Sequence, residues 1–285
     1  MDLVIRRARR SDKRDVLAAV RTIWGGQDRI PDVFDRWVTH RTGPFFVAES
    51  GGRVVGMGKL TVVSPTEAWL EGGRVAPRWR RKGIATALIA HRVAYARDRG
   101  FRVLRFSTAS DNTPIHRAAR HFGFTRVGAL SRREAPAMPG AAPTRATPTQ
   151  ERGVLRRVGP LVQLGHGWEW REITLRDIRS AIARSRVFVS GKEVGAAAVL
   201  GDRYNASLMI TAIGGHVAPL TRLLRGLRAE AQRRGLDEVS LYVSNPGQAR
   251  AARSAGYGRP WSGEVYLFEK RFTRRAGSAP SPAPP

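Results

Sequence analysis

A short apolar core inside DLVIRRA (2–8) predicts an opening strand. The spacing then changes to that of a helix. Val16, Leu17, Val20 and Ile23 share one face, so a helix is predicted from a cap at Ser11 to about Trp24. A second short helix is predicted near Pro31–Val38. PFFVAES, then GG, then RVVGMGKLTVV reads as a hairpin. A strand at about Ala68–Val75 leads into a basic loop. The next pattern is helical, about Gly83–Arg99, and stops at Gly100. FRVLRFSTA predicts a strand, NTPIHRAARHF a helix and FTRVGAL a last strand.

Periodicity then lapses. From Ser131 to about Gln150 the chain is rich in Pro, Ala and Thr, which predicts a linker, and AGSAPSPAPP at the C-terminus predicts a disordered tail. Between them the first half returns. FVAESGGRVVGMG has an echo in FVSGKEVGAAA, and ARDRGFRVLRFSTASDN in AQRRGLDEVSLYVSN. Asn112 precedes Gly123-Phe124 by the interval that separates Asn245 from Gly256-Tyr257. Three matches in one order argue for an internal duplication. The expectation is two similar α/β (α+β) domains, at 1–130 and 161–273, with a linker at 131–160 and a tail at 274–285.

Composition narrows the function. The apolar fraction is 42%, enough for packed cores. No cysteine is present, so disulfides, Cys-ligated zinc and thiol nucleophiles are excluded. No apolar run is long enough to span a membrane, and MDLVIRRARRSDKRD holds no secretory signal pattern, so a cytoplasmic protein without a membrane partner is expected. The net charge is +27, carried by arginine except at Lys13, Lys59, Lys82, Lys192 and Lys270. Such an excess attracts polyanions, so non-specific nucleic-acid binding is expected.

The basic loop carries the most specific chemistry. In RVAPRWRRKGIATALIAHRV, Arg80, Arg81 and Lys82 stand directly before Gly83 and a helix. A helix N-terminus leaves four amides unpaired, and its dipole favours an anion. Gly83 admits a phosphate without a Cβ in the way, Ala85 is small, and Thr86 adds a hydroxyl. The order strand, basic loop, helix therefore suits a diphosphate. Neither the nucleotide P-loop pattern nor a Rossmann fingerprint is present.

VAPRWRRKGIATALI resembles the cofactor motif of the GNAT (GCN5-related) N-acetyltransferases, Arg/Gln-x-x-Gly-x-Gly/Ala, filled here by Arg80, Gly83 and Ala85. DNTPIHRAARHFGF resembles the family's second motif, an Asn-led helix ending in Gly-Phe. The order of elements over 2–130 matches as well. The resemblance implies, in each domain, a central mixed, mostly antiparallel twisted sheet flanked by helices. It also implies acetyl-CoA as co-substrate, with no metal. Gly73, Arg74 and Val75 would then offer backbone groups to the pantetheine arm. The amides of Arg81, Lys82, Gly83, Ile84, Ala85 and Thr86 would hold the diphosphate, and Asn112 would lie near the pantetheine. Asn112 also reads as a plain helix cap.

The match fails at the proton carriers. The family's Tyr, seven residues after the Asn, is Ala119 here, and its Glu, five residues before, is Ser107. Glu71 lies on the strand before the cofactor segment and is the candidate base; its alternative is a surface carboxylate balancing arginines. His116 is the candidate acid, with His121 beside it; both also read as packing or surface residues. In the second domain ITAIGGHVAPLTRLL keeps Gly214 and Gly215 but not the motif, so no CoA is expected there, and His216 reads as structural. Trp168 and Trp170 read either as an acceptor platform or as buried strand residues. The function this supports is acetyl transfer to a primary amine on a small molecule, peptide N-terminus or lysine. The alternatives are a non-catalytic acyl-CoA-sensing module and a nucleic-acid-associated basic protein.

Overall fold

The structure, a computed structural model, describes residues 2–39 and 42–273. The tail expected at 274–285 lies outside the described residues. The chain forms two compact units. The first holds Met1–Phe106, Pro114–Thr125 and the stretch beginning at Phe268; the second holds Ser107–Thr113 and Arg126–Leu267.

In the first unit the elements run β1 (Val4–Arg7), α1 (Lys13–Val20), α2 (Ile30–Thr39), β2 (Phe45–Ser50), β3 (Arg53–Ser64), β4 (Glu67–Val75), α3 (Ile84–Asp98), β5 (Val103–Ala109) and α4 (Thr113–His121). β1 to β4 pair antiparallel in sequence order, and β4 pairs parallel with β5. The continuous apolar run Phe45-Phe46-Val47-Ala48 follows from burial on both faces. Phe45 and Val47 join Val16, Phe34 and Trp37 of α1 and α2, while Phe46 and Ala48 join Ile84 and Leu88 of α3. Asp12, not Ser11, opens α1: its carboxylate takes the Arg9 N–H at 2.7 Å and pairs with Arg6. Ser11 therefore lies in a short 3-10 turn, Arg10–Asp12.

The first unit also takes in Phe268–Arg271. Arg105 on β5, 1% exposed, is bound by Glu67 of β4 and by Glu269, whose Oε2 accepts from its Nε at 2.7 Å. A boundary at 130 is thus not the edge of this unit.

The second unit holds β6 (Thr125–Pro136), β7 (Thr144–Arg145), α5 (Glu151–Val158), β8 (Leu161–Gln163), β9 (Trp170–Glu172), α6 (Leu175–Ala183), β10 (Val187–Ser190), β11 (Ala196–Leu200), β12 (Ser207–Gly215), α7 (Val217–Arg233), β13 (Glu238–Val243) and α8 (Pro246–Ser254). A last strand, β14, is Val265–Arg271. β12 and β13 are parallel; β6–β13, β11–β12, β10–β11 and β7–β10 are antiparallel. α7 and α8 cover one apolar cluster, with Leu220, Leu224 and Ala252 at its centre; α5 and α6 cover another, around Val154, Ile178 and Val187.

The stretch 131–160, expected as a linker, is ordered structure. Ser131–Pro136 pair with Glu238–Val243, and Glu151–Val158 form α5 with Val154 and Val158 buried. The Thr147/Gln150 capping box that introduces α5 is the missed signal.

The echoes in sequence are echoes in geometry. Gly123 and Gly256 are both left-handed after their helices, and each next residue donates back, Phe124 N–H to Ala119 O at 2.9 Å and Tyr257 N–H to Ala252 O at 3.0 Å. Gly100 and Gly235 end α3 and α7 in the same way.

Candidate functional site

β4 and β5 pair only at Glu67↔Val103, Ala68↔Leu104 and Trp69↔Arg105. Beyond those pairs β4 runs on to Val75 along β3 alone. The register on β3 slips between Met57/Lys59, so Gly72 and Gly73 bulge opposite Gly58. Gly73, Arg74 and Val75, expected to present backbone groups, therefore lie on the stretch of β4 that has left β5. The Arg74 side chain is turned elsewhere: its Nε donates to Asp28 Oδ2 at 2.5 Å, and its guanidinium lies 4.2 Å over the Trp24 ring.

A short 3-10 turn, Pro77–Trp79, leads from β4 to the basic loop. Arg81 and Gly83 both adopt left-handed backbone, φ 62° and 77°. For a non-glycine residue that conformation stores about 1–3 kcal/mol, a cost that persists where a loop is shaped for a task. The first hydrogen bond of α3 runs from Ala87 N–H to Gly83 O at 2.9 Å. The amides from Gly83 to Thr86 thus meet no acceptor among the described residues. Arg80, Arg81, Lys82, Ala85 and Thr86 are exposed around them, with Lys82 Nζ 4.8 Å over Trp79. Ile84 differs: its side chain is buried against β3, which anchors the helix start and leaves only its amide to the loop. Open donors, positive dipole and surrounding cations fit a diphosphate.

Glu71 lies one residue before the bulge, with its side chain 10% exposed. Its Oε1 accepts from Thr61 Oγ1 and its Oε2 from Arg29 Nη2, both at 2.5 Å. Behind the bulge, Arg92 of α3 is fully buried. Its Nη1 donates to the carbonyls of Lys59 at 3.2 Å and Glu71 at 3.3 Å, and its Nε to Leu88 O. Burial pulls its pKa down to about 10, opposed by the charge of Glu71. Sequence spacing does not reveal Arg29, Thr61 or Arg92; the one local signal near them is Trp24-Gly-Gly, an exposed aromatic in a glycine turn.

His116 is half-buried on α4, its ring 5.6 Å from that of Phe268. His121 is exposed and packs edge-on to Phe122. Ala119 is buried, 2% exposed. Asn112 does not serve as the plain cap: its Nδ2 donates to Thr108 Oγ1 at 2.9 Å. Ser107 gives its hydroxyl to Trp168 O at 2.6 Å. Trp170 is buried in β9, while Trp168 is partly exposed, donates to the Tyr242 hydroxyl at 2.8 Å and stacks on Trp261.

The second unit is built differently at the matching place. Only His216 separates β12 from α7, and its N–H is bound by Gly195 O at 3.0 Å. A Cβ on Gly214 would stand 1.7 Å from Arg157 O. Where β12 has left β13, the Ile213 carbonyl accepts from Gln248 Nε2 at 3.1 Å. Asn245 does cap α8, accepting from Gln248 N–H at 2.9 Å.

Among the described residues no helix is long and apolar enough to cross a membrane, and no cluster of three or more His, Cys, Asp or Glu could hold a metal ion.

Residues 13–124 match the Acetyltransferase (GNAT) family. A stretch of 83 residues, 29% of the chain, is 31% identical to the histidine N-acetyltransferase of Oreochromis niloticus and, equally, of Scomber australasicus. The match spans 25% of the length of those curated relatives. Over 94% of this chain and 95% of the other, the fold is similar to a GCN5-related N-acetyltransferase from Sphaerobacter thermophilus, with TM-score 0.63 and 16% identity. A tandem GNAT protein from the clavulanic acid biosynthesis pathway is similar over 95% of this chain and 98% of its own, with TM-score 0.52 and 16% identity.

Proposed function

The chain belongs to the GCN5-related N-acetyltransferase (GNAT) superfamily, and on that premise we propose that its first unit transfers acetyl from acetyl-CoA to a primary amine. The observation that carries this is the pairing of a parted strand edge, Gly73–Val75, with four open amides at the start of α3. Acetyl-CoA supplies the activated acetyl thioester. The amides from Arg81 to Thr86, with Arg80, Arg81 and Lys82 beside them, would hold its diphosphate. The edge of β4 would pair with its pantetheine amides.

Glu71 is the group for the acceptor's proton. As the amine nitrogen bonds to the acetyl carbon, the carbon–sulfur bond breaks, the amine proton passes to Glu71 through water, and the departing thiolate takes a proton from His116 or solvent. Holding both partners at the bulge supplies the remaining acceleration. Arg92, bound to the Glu71 carbonyl, fixes the strand that carries this carboxylate.

Ala119 and Ser107 stand where the family often keeps its proton carriers, which favours one second reading, a module that binds acyl-CoA without transferring it. The net charge of +27 supports only salt-sensitive, sequence-independent attraction to nucleic acid. The test is release of free CoA from acetyl-CoA across a panel of primary amines, with histidine, the substrate named for the relatives, among them. Amine-dependent release supports the enzyme. Tight CoA binding with release at background supports the sensing module instead.

A further inference from the structure

The half-open ion pair beside the bulge points to the acceptor. Arg29 is 50% exposed at its side chain and touches Glu71 through one nitrogen only, Nη2 to Oε2 at 2.5 Å. Its Nε and Nη1 meet no acceptor among the described residues. The guanidinium lies 5.5 Å from the Trp37 ring, a flat apolar support. It follows a turn in which Trp24, Gly25 and Gly26 are all left-handed, and Trp24 is 65% exposed. The other carboxylate of the turn, Asp28, is committed: Oδ1 takes the Ile30 N–H at 2.9 Å and Oδ2 takes Arg74.

Arg29 keeps half of its side chain toward solvent, so a second anion can reach it, and Glu71 keeps the Thr61 hydroxyl when Arg29 turns to that anion.

We propose that Arg29 recognises a carboxylate on the acceptor, and that in taking it Arg29 releases Glu71 to receive the amine proton. This rests on the reading of Glu71 as the base. It names the acceptor class: because Arg29 and Glu71 touch, the amine and the carboxylate that meet them lie close together in one small molecule, as in an α-amino acid. A long polyamine or a lysine side chain lacks that anion. Arg29 would thus be a specificity residue that also unmasks the base.

The test compares amino acids with the amines left when the carboxylate is removed: alanine with ethylamine, histidine with histamine, phenylalanine with phenethylamine. Calorimetry on the full chain saturated with CoA gives affinities, and CoA release from acetyl-CoA gives kcat and KM. In at least one pair the amino acid is expected to bind tenfold or more tighter than its amine. Arg29→Gln is expected to abolish that preference by weakening the amino acid alone, leaving CoA affinity unchanged, and Arg29→Lys to restore part of it. Equal binding in every pair, binding of neither partner, or a preference that survives Arg29→Gln overturns the proposal. A preference that disappears in Arg29→Gln while no CoA is released upholds the recognition by Arg29 and overturns the enzyme reading and the release of Glu71.

Discussion

β4 and β12 end alike, yet the junctions beyond them differ in length, charge and backbone. After Val75 a turn and a basic loop intervene before α3, with left-handed Arg81 and Gly83 and open amides beyond. After Gly215 a single residue, His216, joins strand to helix, and Gly195 binds its amide. Counting from the first residue paired in parallel, Glu67 and Ser207, Glu71 corresponds to Thr211, whose hydroxyl is satisfied by Val199 O at 3.1 Å. Gly73 corresponds to Ile213, whose carbonyl is already bound by Gln248. The second unit keeps the strand, the helix and the parted edge, but it lacks the basic loop, and Gln248 already binds the strand edge. A shared fold therefore says little about a shared site; the short loop and a few polar groups decide.

The comparison can be broken most severely at the carboxylate. Glu71→Gln is expected to lower kcat by about 10²- to 10⁴-fold, the range for loss of a general base, with CoA affinity unchanged. Thr211→Val, the matching change, is expected to leave kcat untouched. Steady-state rates with calorimetry check both, and a Glu71→Gln enzyme within threefold of the native rate would remove Glu71 from the mechanism.

The next effect concerns what holds each unit. Arg105→Met removes the buried cation shared by Glu67 and Glu269, with Arg271 still on Glu269, and is expected to cost about 3–5 kcal/mol in urea unfolding. If the cost is under 1 kcal/mol, the buried network does not hold Phe268–Arg271 to the first unit.

A smaller contrast separates the two glycines. Gly214→Ala drives a Cβ against the Arg157 carbonyl and is expected to destabilise by about 1–3 kcal/mol. Gly83→Ala, whose Cβ meets nothing within 4 Å, is expected to cost only the left-handed backbone, about 1 kcal/mol. Equal melting shifts for the two would mean that the second junction is not built as described.

The basic loop is legible in sequence because all its parts are contiguous: cations, glycine and helix start come one after another, and their order states the chemistry. The doubled α/β layout is legible for a related reason, since helix-ending glycines recur at matching places. The partners of Glu71 are not legible, because Arg29 lies 42 residues away and nothing local signals the pairing. Arg105 meets Glu269 across 164 residues, so periodicity cannot show that the first unit includes the last strand. The stretch 131–160 misleads for another reason. Its Pro and Ala content suggests a linker, while cross-strand pairing along β6 and a cap at Thr147 supply order that composition does not record. Ser11 yields to Asp12 because Asp12 both receives the Arg9 amide and pairs with Arg6.

Calorimetric titration of the full chain with CoA tests the central claim, that one junction grips the diphosphate and the other does not. The account predicts one site per chain, at least a hundredfold weaker in Gly83→Glu, where a carboxylate enters the anion seat, and unchanged in Gln248→Leu. Two sites per chain, or full affinity in Gly83→Glu, would contradict it.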